Sequence, residues 1–130
     1  MISCTGDGIQ GIRIVDGFSN SSGRVKVFVN DVWGTVCDDL WELLDATVVC
    51  KQLGYQTALA GPTEGYFGLG TGPIWMDNVQ CRGTEVSLSE CNQPPLGEHD
   101  CRHFEDAGVA CVGKNMHALF KETKRNYTRI

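Results

Sequence analysis

Apolar and polar positions alternate most clearly over 24–30, where Val25, Val27 and Val29 share one face and Lys26 the other. That period of two predicts a half-buried strand. A short strand candidate, Ile12 to Val15, precedes it and is closed by Asp16-Gly17, and 18–23 is turn chemistry. Asn30-Asp31 turns the chain into a third strand over 32–37. The period then changes. Ala46, Val49, Cys50 and Leu53 stand at i, i+3, i+4 and i+7, with Asp45 as cap and Gly54 as stop, which predicts a helix that turns Cys50 to the core. Residues 55–73 lack periodicity and read as a long loop. Ile74 to Val79 reads as a strand, Thr84 to about Glu90 as a short capped helix, 92–106 as a polar loop and Gly108 to Val112 as a last strand. The class is α+β: a compact domain of short antiparallel strands, one or two helices and long loops.

The 130 residues make one domain, divided as a lead-in over 1–11, a body over 12–112 and a basic tail over 113–130. Sixteen glycines fit a chain rich in turns. Charge is segregated. Residues 1–111 hold 6 Lys and Arg against 15 Asp and Glu, while Lys114, Lys121, Lys124, Arg125 and Arg129 face only Glu122 in the tail. An acidic body argues against nucleic acid as the main partner, because phosphate binding needs a cationic surface. No apolar run is long enough for a membrane span, and the opening MISCTGDGIQ has no apolar core of a signal peptide. The sequence therefore reads as a domain of a larger protein.

Seven cysteines in so short a chain belong to an oxidising compartment. Zinc sites favour close pairs such as Cys-x-x-Cys, and none occurs; Cys101-Arg102-His103 is the nearest approach. No base stands in a recognisable arrangement with a thiol, and there is no G-x-S-x-G elbow, P-loop or H-E-x-x-H helix. His99, His103 and His117 have no nucleophile to serve, so the chain reads as a binding domain and not as an enzyme. Six cysteines can pair in 15 ways, and spacing does not choose among them.

The stretches WGTVCDD (33–39), DATVVCKQLGY (45–55), GPIWMDNVQCRGTE (72–85), SLSEC (87–91) and CRHFEDAGVAC (101–111) resemble a scavenger receptor cysteine-rich domain over about 12–112. Tyr55 stands where the eight-cysteine subgroup has a further cysteine, so the likeness is to the six-cysteine group A form. The resemblance implies bridges Cys37–Cys101, Cys50–Cys111 and Cys81–Cys91, each adding roughly 3–4 kcal/mol in the chain-entropy model. It also implies an extracellular home, secreted or in an ectodomain. Cys4 departs from the group A pattern and is expected either to bond a neighbouring domain or to link a disulfide-bonded dimer.

With Cys37 and Cys101 bridged, Asp38 and Asp39 come close to Glu105 and Asp106. Crowded carboxylates repel unless something neutralises them, and calcium prefers such oxygens. The family resemblance assigns the metal to Asp38, Asp39 and Glu105, with a weaker second site at Asp77 and Asn78. Side chains alternate along a strand, so both aspartates reach one ion only if the strand ends or bends after Cys37. The competing reading has Asp39 capping the turn into the helix, Asp106 paired with Arg102 and the rest solvated.

A loop-held cation would let an acidic domain bind polyanionic ligands. The family's partners include bacterial surface polymers, modified lipoproteins and host glycoproteins, in the setting of pattern recognition and innate immunity. Arg24 and Lys26 form either a small ligand-binding basic patch or the solvated face of their strand. Two other functions stay open: an accessory module of a secreted protease or amine oxidase, and a structural spacer. Asn20-Ser21-Ser22 and Asn126-Tyr127-Thr128 fit the N-glycosylation pattern of a glycoprotein. The tail, with Met116, Leu119 and Phe120, is a linker or touches a membrane or partner. Trp33, Trp41 and Trp75 are expected to pack the core and loops, or to offer one exposed indole as a binding anchor.

Overall fold

A computed structural model of the chain describes residues 8–113. Cys4, Asn126, His117 and the basic tail lie outside the described residues. The elements are β1 (Gly11–Asp16), β2 (Ser22–Val29), β3 (Val32–Val36), α1 (Leu43–Gln52), β4 (Thr57–Ala60), β5 (Ile74–Met76) and β6 (Gly108–Val112). One edge of β2 pairs with β1 along most of its length. Its other edge is shared, with β6 taking Ser22 to Arg24 and β3 taking Lys26 to Val29. The sheet order β4-β6-β2-β3-β5 therefore curls around β2. The pairing is mixed rather than purely antiparallel, because β5 runs parallel to β3.

The alternation in β2 is real: Val25, Val27 and Val29 are buried, and they pack with Val36, Val48, Val49, Met76, Leu88 and Val109 in one core. Trp41 closes that core and donates its indole N–H to the Gly108 carbonyl at 3.0 Å. Trp75 packs over Gly34, where a Cβ would collide with the indole and with the Pro73 carbonyl.

Four elements differ from the sequence expectation. Helix α1 begins one turn earlier, with Glu42 as its cap residue. Asp45 sits inside the first turn. Its Oδ2 accepts the Glu42 N–H at 2.7 Å, and its Oδ1 accepts the Cys81 N–H at 2.7 Å. One buried carboxylate thus caps the helix and ties down a distant loop, a role that a local capping pattern does not reveal. The helix expected from Thr84 shrinks to a single 3-10 turn, Leu88–Glu90, because Glu85 turns back onto the N–H groups of Arg82 and Gly83. Within 55–73 lies β4, an edge strand on β6 too short to show a period. The strand from Ile74 also stops early, at Met76.

All three implied bridges are formed. Cα separations are 6.2 Å for Cys37–Cys101, 5.5 Å for Cys50–Cys111 and 4.7 Å for Cys81–Cys91. The first ties the end of β3 to the loop before β6, the second ties α1 to β6, and the third closes the short loop around the 3-10 turn.

Candidate functional site

The site grows from the end of β3. The Ala107 N–H donates to the Val36 carbonyl at 2.7 Å, and the Asp38 N–H donates to the Glu105 carbonyl at 2.8 Å. The 36–38 segment is thereby laid antiparallel to 105–107, and the Cys37–Cys101 bridge closes the same junction. The strand then breaks after Cys37, the condition for both aspartates to face one point. Trp41 N–H turns back to the Asp38 carbonyl, and Leu40 takes a positive φ of 65°. This bend carries Asp38 and Asp39 onto the rim of one open cleft of about 590 Å³, lined by both aspartates, Thr63, Glu64, Phe104 and Glu105.

Within the cleft, carboxylate oxygens of Asp39 and Glu105 lie within 4.8 Å of each other and of the Cys37 and Cys101 sulfurs. Those sulfurs are bridged to one another and offer no thiolate. Asp38 is placed differently: its Oδ2 accepts the Glu64 N–H, at 2.6 Å. Glu105 accepts the Arg102 N–H through Oε1 at 2.9 Å, which aims the side chain from a 3-10 turn, His103–Glu105. Burial pushes the Asp38 carboxyl above the usual carboxylate value, and Glu105 and Glu64 add to this against the pull of the Glu64 N–H. Asp39 is raised as well, first by burial and then by Asp77, Glu105, Asp100 and Asp38. Among the described residues no Lys or Arg pairs with any of these carboxylates.

The second expected position is partly assembled. Asp77 is buried and lies with Asp39 and Asp100 in a group of oxygens within 4.8 Å. Asn78, by contrast, donates its own N–H to Asp77 Oδ1. Asp100 had not been singled out from the sequence. The bridge brings it in, since it precedes Cys101 as Asp38 follows Cys37. Glu64 and Thr63, from the loop after β4, likewise carry no sequence signal.

Asp106 does not join the cleft and does not pair with Arg102. It is buried, accepts the Gly70 N–H at 2.7 Å, and meets His103 Nδ1 at 3.0 Å. The other ring nitrogen of His103 lies 2.9 Å from the Gly72 carbonyl. Together they clamp the 70–72 loop onto the sheet. His99 Nδ1 accepts the Cys101 N–H, a local loop contact. Asp39 does not cap α1, since Glu42 holds that place.

The expected pairing of Arg24 with Lys26 on a solvated face is corrected. Arg24 is buried under the 61–73 loop; it donates to Asp16 Oδ2 at 2.7 Å and to the Phe67 carbonyl at 3.0 Å. Lys26 instead lies directly across from Arg13, which itself stacks 4.2 Å over the Trp33 ring. Burial lowers the Lys26 pKa, and Arg24 and Arg13 lower it further. An exposed aromatic patch adjoins the cleft, with Phe18 against Tyr66 and Phe67 and with Phe104 on the cleft wall.

Comparison with known proteins agrees with the fold. The third scavenger receptor cysteine-rich domain of murine neurotrypsin is 54% identical, with a TM-score of 0.73, and the match covers 78% of this chain and 94% of that one. The same domain of mouse MARCO, solved in a dimeric form, is 48% identical with a TM-score of 0.67, over 77% of this chain and 93% of that one. Domains of this family are generally non-catalytic binding modules, and the three disulfides place the domain in an extracellular, oxidising setting. No helix among the described residues is long and apolar enough to cross a membrane. The family profile described as "Scavenger receptor cysteine-rich domain" matches residues 15–112, and the chain belongs to that family.

Proposed function

We propose that this domain is a ligand-binding module of a scavenger-receptor-like protein and that it engages polyanionic ligands through a calcium ion held by Asp39 and Glu105, with Asp38 beside them. The observation that carries the reading is the convergence of carboxylates in one open cleft with no basic side chain of the described residues paired to them. Such a cluster is electrostatically incomplete: burial raises Asp38 and Asp39 first, and the neighbouring carboxylates raise them further. A hard cation completes it, at an affinity of ~10⁻⁴–10⁻³ M for an extracellular module. Coordination positions left open toward the solvent then accept a sulfate, phosphate or carboxylate of a bacterial polymer or host glycoprotein. Phe104 and Tyr66 offer apolar contact at the edge. Lys26 and Arg13 supply a second, smaller cationic strip.

The test is retention on immobilised dextran sulfate with calcium, with a chelator, and with the Glu105→Gln variant. The reading predicts calcium-dependent retention that the variant loses. Equal retention in all three conditions contradicts it. A second reading rests on the likeness to neurotrypsin, where the matching domain is the third of its kind in its parent. In that reading the domain is an accessory module of a secreted protease or amine oxidase, and it positions a catalytic unit elsewhere in the chain.

A further inference from the structure

We propose that Asn20 carries an N-linked glycan, attached before the β1–β2 hairpin closes. Asn20-Ser21-Ser22 is an acceptor triplet with serine, not proline, in the middle. The structure puts it where a glycan fits. Asn20 sits at the exposed tip of the turn between β1 and β2. Its backbone carbonyl accepts the Tyr55 hydroxyl at 3.1 Å, while its side-chain amide makes no hydrogen bond among the described residues. The amide therefore leaves the surface unencumbered, beside an open hollow of about 490 Å³ lined by Ser19, Asn20, Ser21, Tyr55, Cys111 and Gly113.

The third residue of the triplet sets the timing. Ser22 is buried in the folded domain, and its Oγ accepts the Phe18 N–H at 2.9 Å. The acceptor hydroxyl is thus withdrawn once the hairpin forms, although the asparagine stays outside. Transfer occurs on the nascent chain in the secretory pathway, the compartment that also forms the three disulfides. The donor is a lipid pyrophosphate-linked oligosaccharide. The Asn20 amide nitrogen bonds to the sugar C1, the C1–O bond to the pyrophosphate breaks, one amide proton is released and the lipid pyrophosphate leaves.

The experiment is expression of the full chain in a eukaryotic secretory host, beside a secreted control known to be glycosylated there, followed by mass spectrometry of the tryptic peptide 14–24. Asn20 is the only asparagine in that peptide, so Asn126 does not confuse the reading. The expected result is a glycan on the peptide, removed by N-glycosidase in heavy-oxygen water with conversion of Asn20 to a labelled Asp. Asn20→Gln loses it, and Ser22→Thr, which keeps the hydroxyl, retains it. The folded, non-glycosylated domain resists modification by oligosaccharyltransferase, whereas the reduced chain accepts it. Recovery of the unmodified peptide while the control is glycosylated overturns the site. Efficient modification of the folded domain overturns the order of events.

Discussion

The backbone N–H of Asp38 donates to the backbone carbonyl of Glu105 at 2.8 Å, so the two residues are joined through the main chain rather than through their side chains. Both carboxylates still line the cleft, Asp38 accepting the Glu64 N–H and Glu105 the Arg102 N–H, and the shared backbone keeps the two residues from drifting apart. The Cys37–Cys101 bridge locks the same junction. Removing it by a double Cys37→Ala, Cys101→Ala change is expected to cost ~4 kcal/mol through the unfolded chain. It is also expected to weaken calcium binding, because Asp39 and Glu105 then lose their shared anchor. Denaturant unfolding with and without calcium measures both. A variant that loses stability but binds calcium as tightly as the parent would separate the bridge from the site.

Glu85 gives the clearest dependence on pH. Hydrogen bonds from the Arg82 and Gly83 N–H groups hold its carboxyl below the ordinary value of 4.5. A carboxylate with a depressed folded pKa stabilises the fold above its unfolded pKa, and that stability disappears as pH falls through the folded value. The contribution is therefore full at neutral pH and declines below about pH 4.5. Glu85→Gln is expected to be less stable than the parent at pH 7, and the gap is expected to narrow on acidification toward pH 3. Unfolding midpoints across that range are the measurement.

Asp45 is a structural carboxylate, not a functional one. Asp45→Ala leaves the Glu42 and Cys81 N–H groups without their acceptor. An unsatisfied buried donor costs about 1–3 kcal/mol. The loss is expected to fall on α1 and the 81–91 loop together, visible as increased amide hydrogen exchange in both segments, with calcium binding intact. Exchange confined to α1 would count against the tie.

Arg24 and Lys26 are neighbours on β2 with opposite expected behaviour. Arg24→Ala removes charge-assisted bonds to Asp16 and to the Phe67 carbonyl, and a cost of about 1.5–3 kcal/mol is expected for such a group. Lys26→Ala makes no comparable break and is expected to stay within about 0.5 kcal/mol of the parent. If polyanion binding uses the cationic strip, Lys26→Ala and Arg13→Ala weaken it. Thermal melts and dextran sulfate retention on the three variants separate fold from function.

Much of this was legible in the sequence because it rests on local periodicity and on cysteine patterns. The strand of Val25, Val27 and Val29 and the burial of Cys50 follow from side-chain periodicity, whereas the bend after Cys37 is expected only as the condition for Asp38 and Asp39 to reach one ion. The disulfide pairing came from family resemblance, since spacing leaves 15 choices. The remainder depends on residues far apart in the chain. Arg24 reads as a surface cation until the 61–73 loop folds over it. Asp45 reads as a cap until Cys81 arrives at its other oxygen. Glu64 and Asp100 join the acidic neighbourhood only through loops whose paths no local pattern fixes. Asp106 reads as one more acid of the cluster, but burial and His103 give it a different task.

The central claim is that the carboxylate cleft is a calcium site. Its most direct test is calorimetric titration of the oxidised domain with calcium, beside the Asp39→Ala variant. Asp39 is half-buried and makes no backbone-capping bond, so the variant is expected to fold. The account predicts one saturable event in the parent at ~10⁻⁴–10⁻³ M and its loss in the folded variant. No uptake by the parent at millimolar calcium, or equal uptake by the variant, would contradict it.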